Sequence, residues 1–431
     1  GMPAGPKEGR WYRRQLKEPG VAFSSARGRG LFAGALQEAY FPLAECYETQ
    51  ADPAFCGLGS LAMVLNALEV DPGRPWVSPT TGEATVWRWF SDQMLECCEP
   101  LDQVRAKGIN MDKVRCLAVC NGARTRMTRA QDSTLDAFRA DLRKSCGALA
   151  AGAQREFVMC SYSRKTLNQT GDGHFSPMAA YNEKEDQVLI MDVARFKYKP
   201  HWVPVQCLWE AMLPLDTETG KSRGWYVLWK EAEGGEYGLG ISCKDDRWRS
   251  ALRFLDVELP ECLLKASHLS DGTWEARLMG ILSRKGGAGA LRSLFVAFKI
   301  DGERRAAILA EVRKTTLHRA LDAIDASASL EPAESPTKKQ CVGSCDAPDG
   351  ISCCLAEGVS LTEAFCIAVL YSVLYSHKPG GAGAPSIVEA FKEISGGVPE
   401  VLDLDRIGDV LQRELKHLNR QVTALKGMCT E

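Results

Sequence analysis

The chain has 431 residues, of which 45% are hydrophobic and 25% charged, a globular composition with room for two or three domains. That composition excludes a disordered chain. The formal net charge of -2 gives no electrostatic reason to expect nucleic acid or an anionic membrane as a partner.

Residues 1–10 carry no apolar core of the kind an export signal needs. The longest apolar stretch, Leu361 to Tyr375, is too short to span a bilayer and contains Glu363. The 17 cysteines therefore read as thiols of a soluble, cytoplasmic protein, kept reduced or used for soft metals.

Gln50-Ala51-Asp52-Pro53-Ala54-Phe55-Cys56-Gly57 is followed by Leu58, Leu61, Met63, Val64, Leu65, Ala67 and Leu68. That run predicts a buried helix starting at or just after Cys56. A thiol at a helix N-terminus feels the positive end of the macrodipole, which favours thiolate. Gln50 can bring its amide N–H to the same spot, where an oxyanion would form. A second helix is predicted over Ser133 to Lys144, capped by Asp132 or Ser133. Short apolar runs at Glu156–Tyr162, Val188–Val193 and Trp225–Trp229 predict strands. The first domain, residues 1–233, is therefore expected to be α+β, with a helical layer packed on an antiparallel sheet.

The polar, Gly-rich stretch Glu231 to Glu236 suits a domain boundary. Beyond it, residues 234–431 are expected to form a mainly α-helical C-terminal domain. Helical spacing of apolar residues runs over Arg304 to Ala326. Residues 330–350 read as a mobile linker. A last helix carries Ile407, Val410, Leu411, Leu415, Leu418, Val422 and Leu425, with Asp405 as the expected cap and Gly427 as the expected stop.

A nucleophilic cysteine needs a histidine and a group to orient it. Of the six His, only His174 and His201 lie in the first domain. A Gly-rich turn delivers His174 to the start of the apolar run Met178 to Tyr181. His201 sits between Pro200 and Trp202, a context of packing. Asp192 ends the next apolar run, and if the two strands pair as a hairpin its carboxylate reaches the imidazole. The order Cys56, His174, Asp192 is that of papain-like folds. Taken alone, Cys56 reads more readily as a small buried hydrophobe than as a nucleophile.

At these residues the chain resembles the phytochelatin synthases. The matching blocks are Gln50 to Leu68, Asp71 to Arg74, Trp87 to Phe90, Met94 to Leu101, Gln169 to Pro177, Asp192 to Tyr198, Pro200 to Pro204 and Thr219 to Gly224. The resemblance covers about residues 10 to 250 and implies a papain-like catalytic domain followed by a variable C-terminal domain. It implies a triad of Cys56, His174 and Asp192, with Gln50 as oxyanion donor. For the zwitterionic γ-glutamyl end of glutathione it implies Asp216 for the amine and Arg223 for the carboxylate. The same resemblance implies Arg164 as a further substrate contact and Arg195 as a structural or substrate-side arginine. Two departures stand out: Phe55 replaces the family's usual Tyr, and residues Val77 to Val86 look like an insertion.

The activity implied is a transpeptidase that releases glycine from glutathione and acylates Cys56 with γ-Glu-Cys. The acyl group then passes to glutathione or to a growing (γ-Glu-Cys)n-Gly chain, making phytochelatins for heavy-metal detoxification. No organic cofactor is expected. Heavy-metal ions (Cd, Zn, Cu, Hg, As) are expected to activate, mainly as metal–glutathione thiolate. The partners expected are glutathione, phytochelatin oligomers and these ions, without nucleic acid or membrane, and with a homodimer as the assembly to test. Two rivals share the sequence features: a cysteine peptidase that hydrolyses glutathione or its conjugates, and a thiol-rich metal buffer.

Outside the triad, Cys97-Cys98 and Cys116-x3-Cys120 read as reduced thiols packed in the core, because neither has zinc-finger spacing. Cys341, Cys345, Cys353 and Cys354 cluster in the expected mobile segment and read as metal ligands by softness, or as redox-sensing thiols.

Overall fold

A computed structural model describes residues 14–72, 75–76, 78, 80–230, 239–241, 247–267, 298–300, 305–319, 361–375 and 407–429. The chain divides into two compact units, residues 1–236 and 237–430. Cys341, Cys345, Cys353 and Cys354, the expected linker over 330–350 and the expected Asp405 cap lie outside the described residues.

In the first unit the chain runs β1 (Val21–Ala22), α1 (Ala26–Ala33), α2 (Tyr40–Glu45), α3 (Cys56–Ala67), a short 3-10 turn (Asp92–Met94), α4 (Leu101–Lys107) and α5 (Met111–Cys120). It continues through β2 (Ala123–Arg129), α6 (Leu135–Cys146), β3 (Glu156–Ser163), β4 (Gly173–Asn182), β5 (Gln187–Ile190), β6 (His201–Pro204), α7 (Val205–Met212) and β7 (Gly224–Lys230). The strands form one sheet of seven, ordered β1-β6-β5-β4-β3-β7-β2, and every neighbouring pair is antiparallel. Helices first and most strands later gives a mixed α+β unit.

α3 is apolar on all sides and starts at Cys56. Every residue from Gly57 to Ala67 is buried. Burying a side chain such as Leu61 or Leu65 in full contributes about 1.5–3 kcal/mol. The helix is pinned across β4 by Ser60, whose hydroxyl donates to Phe175 O at 3.0 Å. Gly57 is required for that docking. A Cβ there would lie 2.5 Å from Ile109 Cγ2 and 3.2 Å from Val114 Cγ2, so α5 and the segment leading into it could not approach.

α6 begins at Leu135, two residues later than the sequence predicts. Thr134 is the cap and its hydroxyl accepts from Ala137 N–H. Asp132 is instead used in a short 3-10 turn, Ala130–Asp132. α6 buries Phe138, Leu142, Ser145 and Cys146, one stripe at helical spacing, against β3 and β4.

In the second unit, Leu239–Ile241 pairs antiparallel with Phe298–Ile300. The last helix runs Asp409–Cys429, so it continues through Gly427 instead of stopping there. Its buried Gln421 and Glu414 take up backbone groups of the small strand: Gln421 accepts from Ile241 N–H at 2.7 Å and donates to Ile241 O at 2.6 Å, and Glu414 accepts from Leu239 N–H at 3.0 Å. Among the described residues no helix is long and apolar enough to cross a membrane.

Candidate active site

Cys56 is the first residue of α3 and is half-buried. No side chain caps this helix at Phe55, which leaves first-turn N–H groups for the residue at its start. The backbone N–H groups of Gly57 and Phe175 face the sulfur. Phe175 directly follows His174, so the thiol lies where β4 delivers the imidazole. Burial pushes the Cys56 thiol up, opposed by the Phe175 N–H and by the charge of Arg164.

His174 is buried on β4, opposite Tyr162 on β3, and the two rings meet edge-to-face at 5.7 Å. β4 and β5 form the expected hairpin, which brings Asp192, just beyond β5, to the ring. His174 Nε2 is 2.8 Å from Asp192 Oδ1. Asp192 has no exposed surface. Its Oδ1 also accepts from Ala194 N–H at 2.9 Å, and Tyr47 donates to its backbone carbonyl at 2.6 Å.

Arg164 is part of this cluster. It is 2% exposed, and its Nη2 donates to Asp192 Oδ2 at 2.7 Å and lies 2.8 Å from His174 Nε2. A guanidinium can only donate. Three charges or dipoles thus meet at one point, and the carboxylate is the shared acceptor. With Nε2–H donated to Asp192, a tautomer assigned from this network, Nδ1 is the basic ring nitrogen. Burial would raise the Asp192 carboxyl, but His174 and Arg164 hold it well below the usual carboxylate range.

Behind Arg164 the network continues. Its Nη1 donates to Gln169 Oε1 at 2.6 Å, and Gln169 Nε2 donates to His201 Nε2 at 2.8 Å. His201 Nδ1–H donates to Lys199 O at 2.8 Å. His201 is therefore a buried positioning residue, consistent with its packing context in the sequence.

Burial and the Arg164 charge bring His174 down to about 4, and burial brings His201 down to about 4. Both imidazoles start near 6.5 in the unfolded chain. Between those limits the unfolded chain binds more protons than the folded one. Their contribution to stability is thus complete above pH ~6.5 and is lost as pH falls toward ~4. Selective labelling of histidine is expected to show the His174 and His201 imidazoles still neutral at pH 5.5, assigned by single substitution. Either one titrating near its ordinary value would contradict this geometry.

Gln50 is buried beside the start of α3. Its backbone N–H donates to Val193 O at 3.1 Å, and its Nε2 donates one hydrogen to Asp52 O at 2.7 Å. A primary amide carries two such hydrogens, so one remains for an oxyanion. Arg223 is also buried. Its Nη1 donates to the carbonyls of Pro214 and Leu215 at 2.9 and 3.0 Å, and its Nε has no hydrogen-bond partner. A Cβ on Gly173 would lie 3.5 Å from Arg223 Nη2, so this guanidinium sits beside the residue that precedes His174.

The remaining predicted residues are placed differently. Asp216 Oδ1 closes a local turn, accepting from the N–H groups of Glu218 and Thr219 at 3.0 and 3.1 Å. Arg195 is exposed and stacks on the Tyr47 ring at 4.6 Å, against the tyrosine that holds Asp192. Phe55 is buried beneath the Arg105 guanidinium, 5.6 Å from its ring. In the insertion, Trp76 N–H donates to Trp87 O at 2.7 Å, closing a hairpin-like loop that exposes Val86 and Trp87. Lys197 is a cation near the triad that the sequence did not single out as a site residue. Its Nζ lies 3.1 Å from where a Cβ on Gly171 would stand, and burial followed by the Arg164 charge pushes its pKa down.

Residues 11–225 match the family model described as phytochelatin synthase. The chain is 42% identical over 297 residues to a glutathione gamma-glutamylcysteinyltransferase 1 of Triticum aestivum, covering 68% of this chain and 57% of that relative. It is 43% identical over 263 residues to a protein of that name in Arabidopsis thaliana, covering 60% and 52%. A glutathione gamma-glutamylcysteinyltransferase of Schizosaccharomyces pombe is 42% identical over 222 residues, covering 51% of each chain. The chain thus spans about half the length of the curated relatives it matches.

Proposed function

Because residues 11–225 belong to the phytochelatin synthase family, we propose that this chain is a glutathione γ-glutamylcysteinyltransferase with a papain-like catalytic unit. The observation that carries this reading is the 2.8 Å His174–Asp192 pair beside a thiol at the start of α3. Cys56 Sγ gives its proton to His174 Nδ1 and attacks the carbonyl carbon of the Cys–Gly peptide of glutathione. The second Gln50 hydrogen and the Cys56 backbone N–H hold the oxyanion. As the C–N bond breaks, His174 passes the proton to the departing glycine amine, leaving γ-Glu-Cys as a thioester on Cys56.

The α-amine of a second glutathione, or of a growing (γ-Glu-Cys)n-Gly chain, then attacks the thioester. His174 accepts the amine proton and returns it to the sulfur. Asp192 stabilises the imidazolium in both halves, and Arg164 holds Asp192. A buried site in which thiol and imidazole both rest neutral ionises only as the proton crosses between them.

Arg223, with a buried unpartnered Nε beside His174's turn, binds the α-carboxylate of the γ-glutamyl unit. Asp216 receives its amine through the carboxylate oxygen that its turn does not use. Heavy-metal ions enter as glutathione thiolates and are substrate, not resident cofactor. Binding of the metal by the acceptor's sulfur leaves its amine as the nucleophile. Products formed from glutathione and cadmium separate this reading from hydrolysis. Oligomers of (γ-Glu-Cys)n-Gly with n of two or more are expected; release of γ-Glu-Cys alone would show a peptidase.

A further inference from the structure

Gln50 can serve an oxyanion only if its side-chain amide is held at the start of α3, and three contacts hold it. Its backbone N–H donates to Val193 O at 3.1 Å, one residue past Asp192. Its Nε2 donates to Asp52 O at 2.7 Å. A carbonyl oxygen can only accept, so this contact fixes which end of the amide is the donor. The third contact grips the other side of the residue. Ala51 N–H, in the same peptide unit as the Gln50 carbonyl, donates to Asp92 Oδ2 at 2.7 Å.

Asp92 lies 41 residues further along the chain and is 5% exposed. Burying a carboxylate is costly unless it is hydrogen-bonded. Here burial pushes the carboxyl up, opposed by the N–H groups of Ala51 and Gln93. The segment that carries it is docked by Asn66, in the last turn of α3. Asn66 Nδ2 donates to Phe90 O at 2.9 Å, and Phe90 N–H donates to Asn66 Oδ1 at 3.0 Å. Both polar groups of the Phe90 backbone are thus taken up by one side chain, two residues before Asp92. Cys56 and Gln50 are therefore linked twice. One link is the short stretch of chain between them. The other runs down α3 to Asn66, across to Phe90, and back through Asp92 to Ala51.

We propose that Asp92 is a positioning residue for the oxyanion hole, fixing the peptide between residues 50 and 51 and with it the direction in which Gln50 presents its amide. The inference rests on the acylation half of the proposed reaction alone. Attack on the Cys–Gly carbonyl creates an oxyanion whether the acyl group is later transferred or hydrolysed. Asp92 acts through Gln50 and not on the substrate. What the Ala51 contact requires at residue 92 is an acceptor oxygen, which Asn also carries.

The test is single-turnover glycine release from glutathione by the full chain. Asp92→Ala is expected to slow release at saturating glutathione by about 10- to 100-fold, somewhat less than the loss of a whole oxyanion donor. The glutathione concentration giving half the maximal rate should stay within about 2-fold, because the oxyanion exists only after attack. Asp92→Asn should recover most of the rate. In a Gln50→Ala background, Asp92→Ala should cost less than about 2-fold, since the group it positions is gone. Release by Asp92→Ala at the parent rate, or full additivity with Gln50→Ala, would overturn the proposal. A parent that releases glycine without forming oligomers would end the transferase reading and leave these comparisons intact. Hydrogen exchange at alanine amides supplies a readout that needs neither turnover nor a folded variant. Ala51 N–H is expected to be protected in the unaltered chain and in Asp92→Asn, and to lose that protection in Asp92→Ala. An Ala51 amide exchanging at the free-peptide rate in the unaltered chain would also overturn the proposal.

Discussion

Cys56→Ser is expected to lower γ-Glu-Cys transfer by about 10⁴-fold or more, to background. A hydroxyl is a far weaker acid than a thiol, and a buried His174 held down to about 4 is a poor base for it. The Gly57 and Phe175 N–H groups that assist a thiolate cannot make up that difference. The substitution removes little volume from a half-buried position, so stability should change by less than about 1 kcal/mol. Steady-state turnover with glutathione and cadmium, set beside thermal unfolding, checks both halves. A protein that lost only a small share of its effect on metal would be a thiol buffer.

Arg164→Met carries the second large effect, and it falls on the fold as well as on the chemistry. The guanidinium and the Asp192 carboxylate are 2% and 0% exposed and 2.7 Å apart. Removing one member of such a pair leaves a buried charge uncompensated, at a cost of about 3–5 kcal/mol. That is a large part of the total stability of an ordinary domain. Removing both is far less costly, so Arg164→Met with Asp192→Asn should recover most of the loss. Transfer should not recover, because a neutral amide stabilises the His174 imidazolium poorly. Denaturant unfolding of the two variants measures this directly. A single Arg164→Met protein within about 1 kcal/mol of the parent would contradict the ion-pair account.

The geometry around Cys56 was largely legible in the sequence. An apolar run with no polar face gave α3, and two apolar runs joined by polar residues gave the β4–β5 hairpin that joins His174 to Asp192. Other parts were hidden for physical reasons. β2 reads Ala-Arg-Thr-Arg-Met-Thr-Arg, a sheet-edge strand whose partly exposed middle leaves little apolar signal. β6 is four residues that follow Pro200 and end on Pro204, too short to show a period.

Arg164 was assigned to substrate by resemblance. Its contact with Asp192 crosses 28 residues of chain, and only the sheet brings the two together. Asp216 shows the reverse case. Asp216-Thr217-Glu218-Thr219-Gly220 is an Asx-turn pattern that could have been read locally, and the structure uses the side chain that way. Cys98 Sγ and Cys120 Sγ lie 3.5 Å apart but 22 residues apart in the chain, and no spacing rule joins them.

The whole scheme rests on one covalent event at Cys56. Mass spectrometry of the intact protein after brief mixing with glutathione, followed by peptide mapping, observes it. The account predicts an added γ-Glu-Cys unit on the peptide containing Cys56, absent from Cys56→Ser and lost when excess acceptor is supplied. Glycine release with no adduct on Cys56, or an adduct confined to another cysteine, would contradict it.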